Sequence, residues 1–121
     1  MDFKDKIIQE QRRDIEALEA KIAEMTRANH YFDTVIDKAI MKNGTVIQSI
    51  VAMEELSELQ KELSKAMRGI FTTGDFDTAG ILEETADVKI MLLQIMKMYN
   101  LKEEALQAVM HTKIMRLDER L

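Results

Sequence analysis

The chain has 121 residues with no cysteine, no proline and only 4 glycines; 46% are hydrophobic, 5% are aromatic, and the net charge is −5. Without thiols neither a disulfide framework nor a thiolate zinc centre can form, and without a basic excess there is little electrostatic footing for nucleic acid. No apolar run approaches the length of a membrane span, and the opening residues lack a signal peptide's apolar stretch, so the chain reads as cytoplasmic with no membrane partner.

Leu, Ile, Met, Ala, Glu and Lys dominate, and these residues form or tolerate long helices, so the expectation is an all-α fold. With 10 methionines and few aromatics, its core is aliphatic and pliable.

From Ile8 a heptad pattern places Ile8, Ile15, Ile22, Asn29 and Ile36 at one core position and Gln11, Leu18, Met25, Phe32 and Ala39 at the other. The residues between them are heavily charged, as a solvated helix requires. A helix running from about Asp2 to Lys42 would reach roughly 60 Å at 1.5 Å per residue. So narrow a stripe is not buried by its own chain alone, which predicts partner helices from another subunit. The plainer alternative is an extra helix packed on the same subunit. Residues 1–30 are therefore read as an N-terminal helical extension, and 31–121 as the main domain.

Asn43-Gly44 is the first punctuation, and Thr45 can cap a new helix. This second helix is expected over Thr45 to Arg68, with Val46, Ile50, Met53, Leu56, Leu59, Leu63 and Ala66 on its apolar face and Gly69 closing it. Turn chemistry from Gly74, Asp75 and the two threonines predicts a loop from Gly69 to about Asp77. A third helix is expected over Thr78 to Tyr99, facing inward with Ile81, Val88, Leu92, Ile95 and Met98. Its second half is apolar almost all round, which points to a dimer interface. Asn100 with Glu103 resembles a capping box that opens a fourth helix to the C-terminus.

The chemistry-bearing pattern lies on the second and third helices. Glu55 and Glu58 are three residues apart, as are Glu84 and Asp87, so each pair emerges on one side of its helix. With Glu55 set at zero on a wheel of 100° per residue, Gln48 lies at about +20°, Glu62 at about −20°, Glu58 at about −60° and Lys65 at about −80°. Glu84 and Asp87 share a stripe with Val88, Met91 and Ile95. Carboxylates on a core stripe are seldom left unpaired or without metal, and four of them repel until a hard divalent cation intervenes. Magnesium, or manganese, is the expected ion, suited to phosphoanhydride hydrolysis. The competing reading is that Glu-x-x-Glu arises by chance on solvated helices. A di-iron bundle would call for Glu-x-x-His pairs, and neither His30 nor His111 has an acid three residues before it.

Glu54-Glu55-Leu56-Ser57-Glu58 followed by Glu84-Thr85-Ala86-Asp87 resembles the EExxE and ExxD motif pair of the MazG-like, all-α nucleoside triphosphate pyrophosphohydrolases. The flanking residues, from Asn43-Gly44 through Gln48 and Met53 to Lys65, and then Ala86-Asp87-Val88, are similar to that family too. The likeness covers about residues 31 to 121. It implies cleavage between the α and β phosphates to give a monophosphate and pyrophosphate. Magnesium would be held by the catalytic carboxylates Glu55, Glu58, Glu84 and Asp87, with a metal-activated water as nucleophile, while Glu54 plays a supporting part.

Basic candidates for the triphosphate are Lys65 and, on one face of the last helix, Lys113, Arg116 and Arg120; those three equally make an ordinary basic stripe near a helix C-terminus. Gln48 either reads a base or is a buried amide satisfied by a neighbour. The chain lacks tryptophan, so base stacking would fall to Tyr31, Phe32, Phe71 or Phe76, and the Phe71–Phe76 loop is either a lid or a connector. The expectation is an all-α helical bundle completed as a homodimer or homotetramer, acting on a nucleoside triphosphate. The alternative is a non-enzymatic helical interaction protein assembling through residues 8 to 39.

Overall fold

The computed structural model describes residues 1–121, which form three helices and no strand: α1 (Phe3–Thr72), α2 (Ala79–Met98) and α3 (Glu103–Arg120). The all-α expectation holds. No helix is long and apolar enough to cross a membrane. The chain divides into two compact units, Met1–Lys38 and Ala39–Leu121.

In the first unit the helix is capped by Asp2, whose Oδ1 accepts the backbone N–H of Asp5 at 2.8 Å. Its heptad stripe is open to solvent from Ile8 to Phe32, with Ile8, Ile15, Leu18, Ile22 and Met25 45% to 63% exposed, whereas Ile36 near the end of the unit is buried.

In the second unit α1 breaks at Gly44, where φ is 82° and ψ 165°. That backbone conformation is essentially closed to residues with a Cβ, so the expected punctuation at Asn43-Gly44 has a steric cause. Beyond the break, α1 runs antiparallel to α2. The seam between them buries Gln48, Ala52 and Ala66 from one side and Val88, Met91 and Gln94 from the other. Gln48 donates from Nε2 to Gln94 Oε1 at 2.6 Å, and Asn43 Nδ2 donates to Gln48 Oε1 at 2.9 Å. At the same end, the hydroxyls of Ser49 and Tyr99 share a 2.7 Å hydrogen bond.

The buried stripe corrects the expected apolar face of the second helix in part: Ala66 is buried and Leu59 half-buried as expected, but the other five residues are not. Val46, Ile50, Met53, Leu56 and Leu63 are 42% to 73% exposed, and Leu92 of α2 is 50% exposed. The inward edge carries the small buried residues Ala52 and Ala66 together with Gln48 and Glu55, while the bulkier aliphatics point out.

Two helix ends also differ from expectation. Gly69 does not close α1, which continues to Thr72. The amides of Thr73 and Gly74 both donate to Gly69 O at 3.0 Å, and Gly74 takes the positive φ, 80°. Gly69 is instead a packing position, where a Cβ would run into the Asp75 carbonyl. Asn100 ends α2 and does not open the last helix. Its φ is 53°, Leu101 N donates to Met96 O at 2.8 Å and Asn100 N to Lys97 O at 3.3 Å, which is a Schellman closure. At the start of α2, Thr78 occupies the N-cap without a side-chain bond, and the Oδ1 of the preceding Asp77 accepts the Ala79 amide at 2.9 Å. Lys102, with no side-chain bond, occupies the N-cap of α3; Glu103 and Glu104 in the first turn complement the helix dipole. No residue of α3 is buried.

Candidate metal centre

The α1–α2 seam repeats every seven residues. From the Gln48–Gln94 pair, two turns forward on α1 reach Glu55 and two turns back on α2 reach Asp87; two further turns reach Glu62 and Gly80. At that last level a Cβ on Gly80 would collide with the Glu62 carboxylate. The middle level holds the acids, and Glu84, one turn before Asp87, lies on the same side. One carboxylate oxygen from each of Glu55, Glu84 and Asp87 lies within 4.8 Å of the other two, and all three residues are half-buried.

This placement is unfavourable to the charged forms. Burial pushes the Glu55 carboxyl above its ordinary value of 4.5; the charge of Asp87, a hydrogen bond with Asp87 and the charge of Glu58 act in the same direction, against a hydrogen bond with Glu84. Burial likewise raises Glu84, followed by the charges of Asp87, Glu55, Glu58 and Glu83. No lysine or arginine is among the causes acting on either group. Glu84 Oε2 is buried and has no hydrogen-bond partner. An acceptor oxygen withdrawn from water and given no donor is costly, and a cation shared with the neighbouring carboxylates would satisfy it. The residues therefore fit a hard divalent ion.

Of the four expected acids, Glu55, Glu84 and Asp87 form the tight trio. Glu58 is exposed outside it, yet its charge acts on Glu55 and Glu84. Glu54 and Glu83 are exposed beside the seam. Gln48 is committed within the chain, its carbonyl oxygen and its amide nitrogen each engaged with a neighbouring side chain. Lys65 is exposed and pairs with Glu62 at 3.0 Å. Both line an open pocket of about 380 Å³ that also includes Asp75, Phe76 and Asp77. Lys113 and Arg116 share a shallow hollow on α3 with Ala108, Val109 and Thr112. The partner residue Gln94 is marked in the sequence only as a lone amide inside the apolar run Ile90–Met98.

No protein-family model, curated protein or solved structure matches this chain.

Proposed function

We propose that the chain is a magnesium-dependent nucleoside triphosphate pyrophosphohydrolase of the MazG-like kind, releasing a monophosphate and pyrophosphate. The observation that carries the reading is the convergence of Glu55, Glu84 and Asp87 around a buried, unpartnered Glu84 Oε2, with no lysine or arginine among the groups acting on Glu55 or Glu84. The trio would hold magnesium, or manganese, with Glu58 at its edge as the fourth carboxylate that the resemblance assigns. When bound, the ion supplies charge neutralisation at a phosphoryl group and lowers the pKa of water. The chain's own part is to pre-position these carboxylates on two locked helices, so little reorganisation is needed at the moment of reaction. Lys65, Lys113 and Arg116 supply cations for the phosphates, Lys65 by exchanging its Glu62 partner.

The working form is a homodimer or homotetramer. Supporting this are the solvent-facing aliphatics of α1 and α2 and an α3 without a buried residue, since a chain this size with so thin a core gains stability by covering such faces. The same exposure favours the second reading, a helical interaction protein without catalytic activity.

Pyrophosphate release from a panel of ribo- and deoxynucleoside triphosphates, with and without magnesium, tests the proposal. Turnover that needs the metal and disappears in Glu84→Gln and Asp87→Asn is expected. No turnover of any substrate, or turnover indifferent to both substitutions, removes it in favour of the interaction protein.

A further inference from the structure

We infer that the N-terminal helical unit associates with a second copy of itself as an antiparallel coiled coil, centred between Ile15 and Leu18. The surface is the open heptad stripe of Ile8, Ile15, Leu18, Ile22 and Met25, along which Ile8, Arg12, Ile15 and Glu19 line a groove. A seam of this kind is covered by another helix carrying the same repeat, and the residues flanking it choose orientation and register.

At the centre of the stripe those flanking residues are Arg12 and Glu19 on one side of the seam and Asp14 and Lys21 on the other; farther out, Asp5 and Thr26 continue the first side and the uncharged Ile7 and Ala28 the second. In a parallel pair, a flanking residue meets the one five positions further along the other helix, so Asp14 faces Glu19 of the second copy, twice by symmetry. Like charges there oppose the arrangement, although Asn29 against its own copy would be tolerated.

In an antiparallel pair, each flank meets the same flank of the second copy. With Ile15 opposite Leu18 of the second copy, Arg12 meets Glu19 and Asp14 meets Lys21, each pair occurring twice. All four flanking contacts are then attractive. Shifting the register by one heptad either way sets Arg12 and Asp14 against their own copies, or Glu19 and Lys21 against theirs, and every such contact is repulsive. The core agrees with the same register: Ile8 meets Met25, Met1 meets Phe32, and the two polar core residues Lys4 and Asn29 meet each other. Only Gln11 opposite Ile22 is mismatched. One orientation and one register thus satisfy the charges and the apolar layers together.

This inference stands apart from the acid site, and its readouts are independent of activity. The full chain has no cysteine, so introduced thiols are the only ones. An annealed mixture of Ile15→Cys and Leu18→Cys chains is expected to form the mixed disulfide dimer under mild oxidation, while either variant alone stays uncross-linked. Cross-linking of Ile15→Cys to its own copy would overturn the antiparallel arrangement, and absence of any cross-link would overturn the pairing. In parallel, Glu19→Lys is expected to weaken association by about tenfold in sedimentation equilibrium at low salt. Adding Arg12→Glu to the same chain should restore it. Tighter association in Glu19→Lys, as a parallel pair would give by setting the new lysine against Asp14, or no change at all, counts against the inference.

Discussion

Gln48 and Gln94 face each other across the buried seam of α1 and α2, their amides joined by a 2.6 Å hydrogen bond. Amides have no hydrophobic reason to be there, and their value is positional. Two polar groups that must meet pin the sliding and rotation of two otherwise smooth helices, and two turns away that register brings Glu55 opposite Asp87. The hydrogen-bonded pair and the acid site are therefore one construction.

Substituting Gln94→Leu should leave the Gln48 amide nitrogen buried without an acceptor and cost about 1–3 kcal/mol of stability in urea unfolding. The double variant Gln48→Leu with Gln94→Leu should recover part of that loss, because no donor is then stranded, yet it should bind the metal less well as the register loosens. Equal stability of the single variant and the native chain would count against a positional role.

Magnesium should raise the melting temperature of the native chain in proportion to the logarithm of its concentration above Kd. Glu84→Gln and Glu55→Gln should abolish that rise, and Glu54→Gln and Glu83→Gln, exposed beside the seam, should leave it nearly intact. Differential scanning calorimetry with and without the ion separates the two sets. A uniform response across all four variants would remove the site.

Because burial and neighbouring acids raise both Glu55 and Glu84, the folded chain binds more protons than the unfolded chain as pH climbs above their ordinary value of 4.5. Linkage then gives a negative slope: the metal-free protein loses stability as pH rises through the raised values, and regains it as pH falls back toward 4.5. Glu84→Gln should flatten this dependence. Saturating magnesium should reverse it, since the ion competes with protons for the same oxygens. Denaturant midpoints measured across the mildly acidic range decide the sign.

Two glycines should respond differently to alanine. Gly44→Ala forces a Cβ into a backbone conformation with φ 82° and ψ 165°, for an expected cost of about 1–3 kcal/mol although open space surrounds it. Gly80→Ala meets the Glu62 side chain first, and its flexible carboxylate end can swing aside, so about 1 kcal/mol or less is expected along with loss of the Glu62–Lys65 pair. Thermal unfolding of the two variants distinguishes backbone strain from side-chain crowding.

Helix content, the break at Asn43-Gly44 and the helical spacing of both acid motifs are local properties, and the sequence by itself determined them through propensity, steric restriction and the 3.6-residue period. Close packing of Ala52 and Ala66, and the cost of leaving Gln48 and Gln94 unpaired, belong to the meeting of two helices. Apolar residues encircle much of α1, from Val46 and Met53 round to Leu59 and Ala66, so periodicity alone does not choose the inner stripe. Only the tertiary structure decided that the inner stripe is the one bearing Gln48 and Glu55. It also decided that Asn100 closes a helix and does not open one, because a left-handed residue is recognised by the carbonyls it lets its neighbours reach. For the acids this sorting is decisive: spacing grouped four of them, and the seam drew three into a common site while leaving Glu58 at its exposed edge.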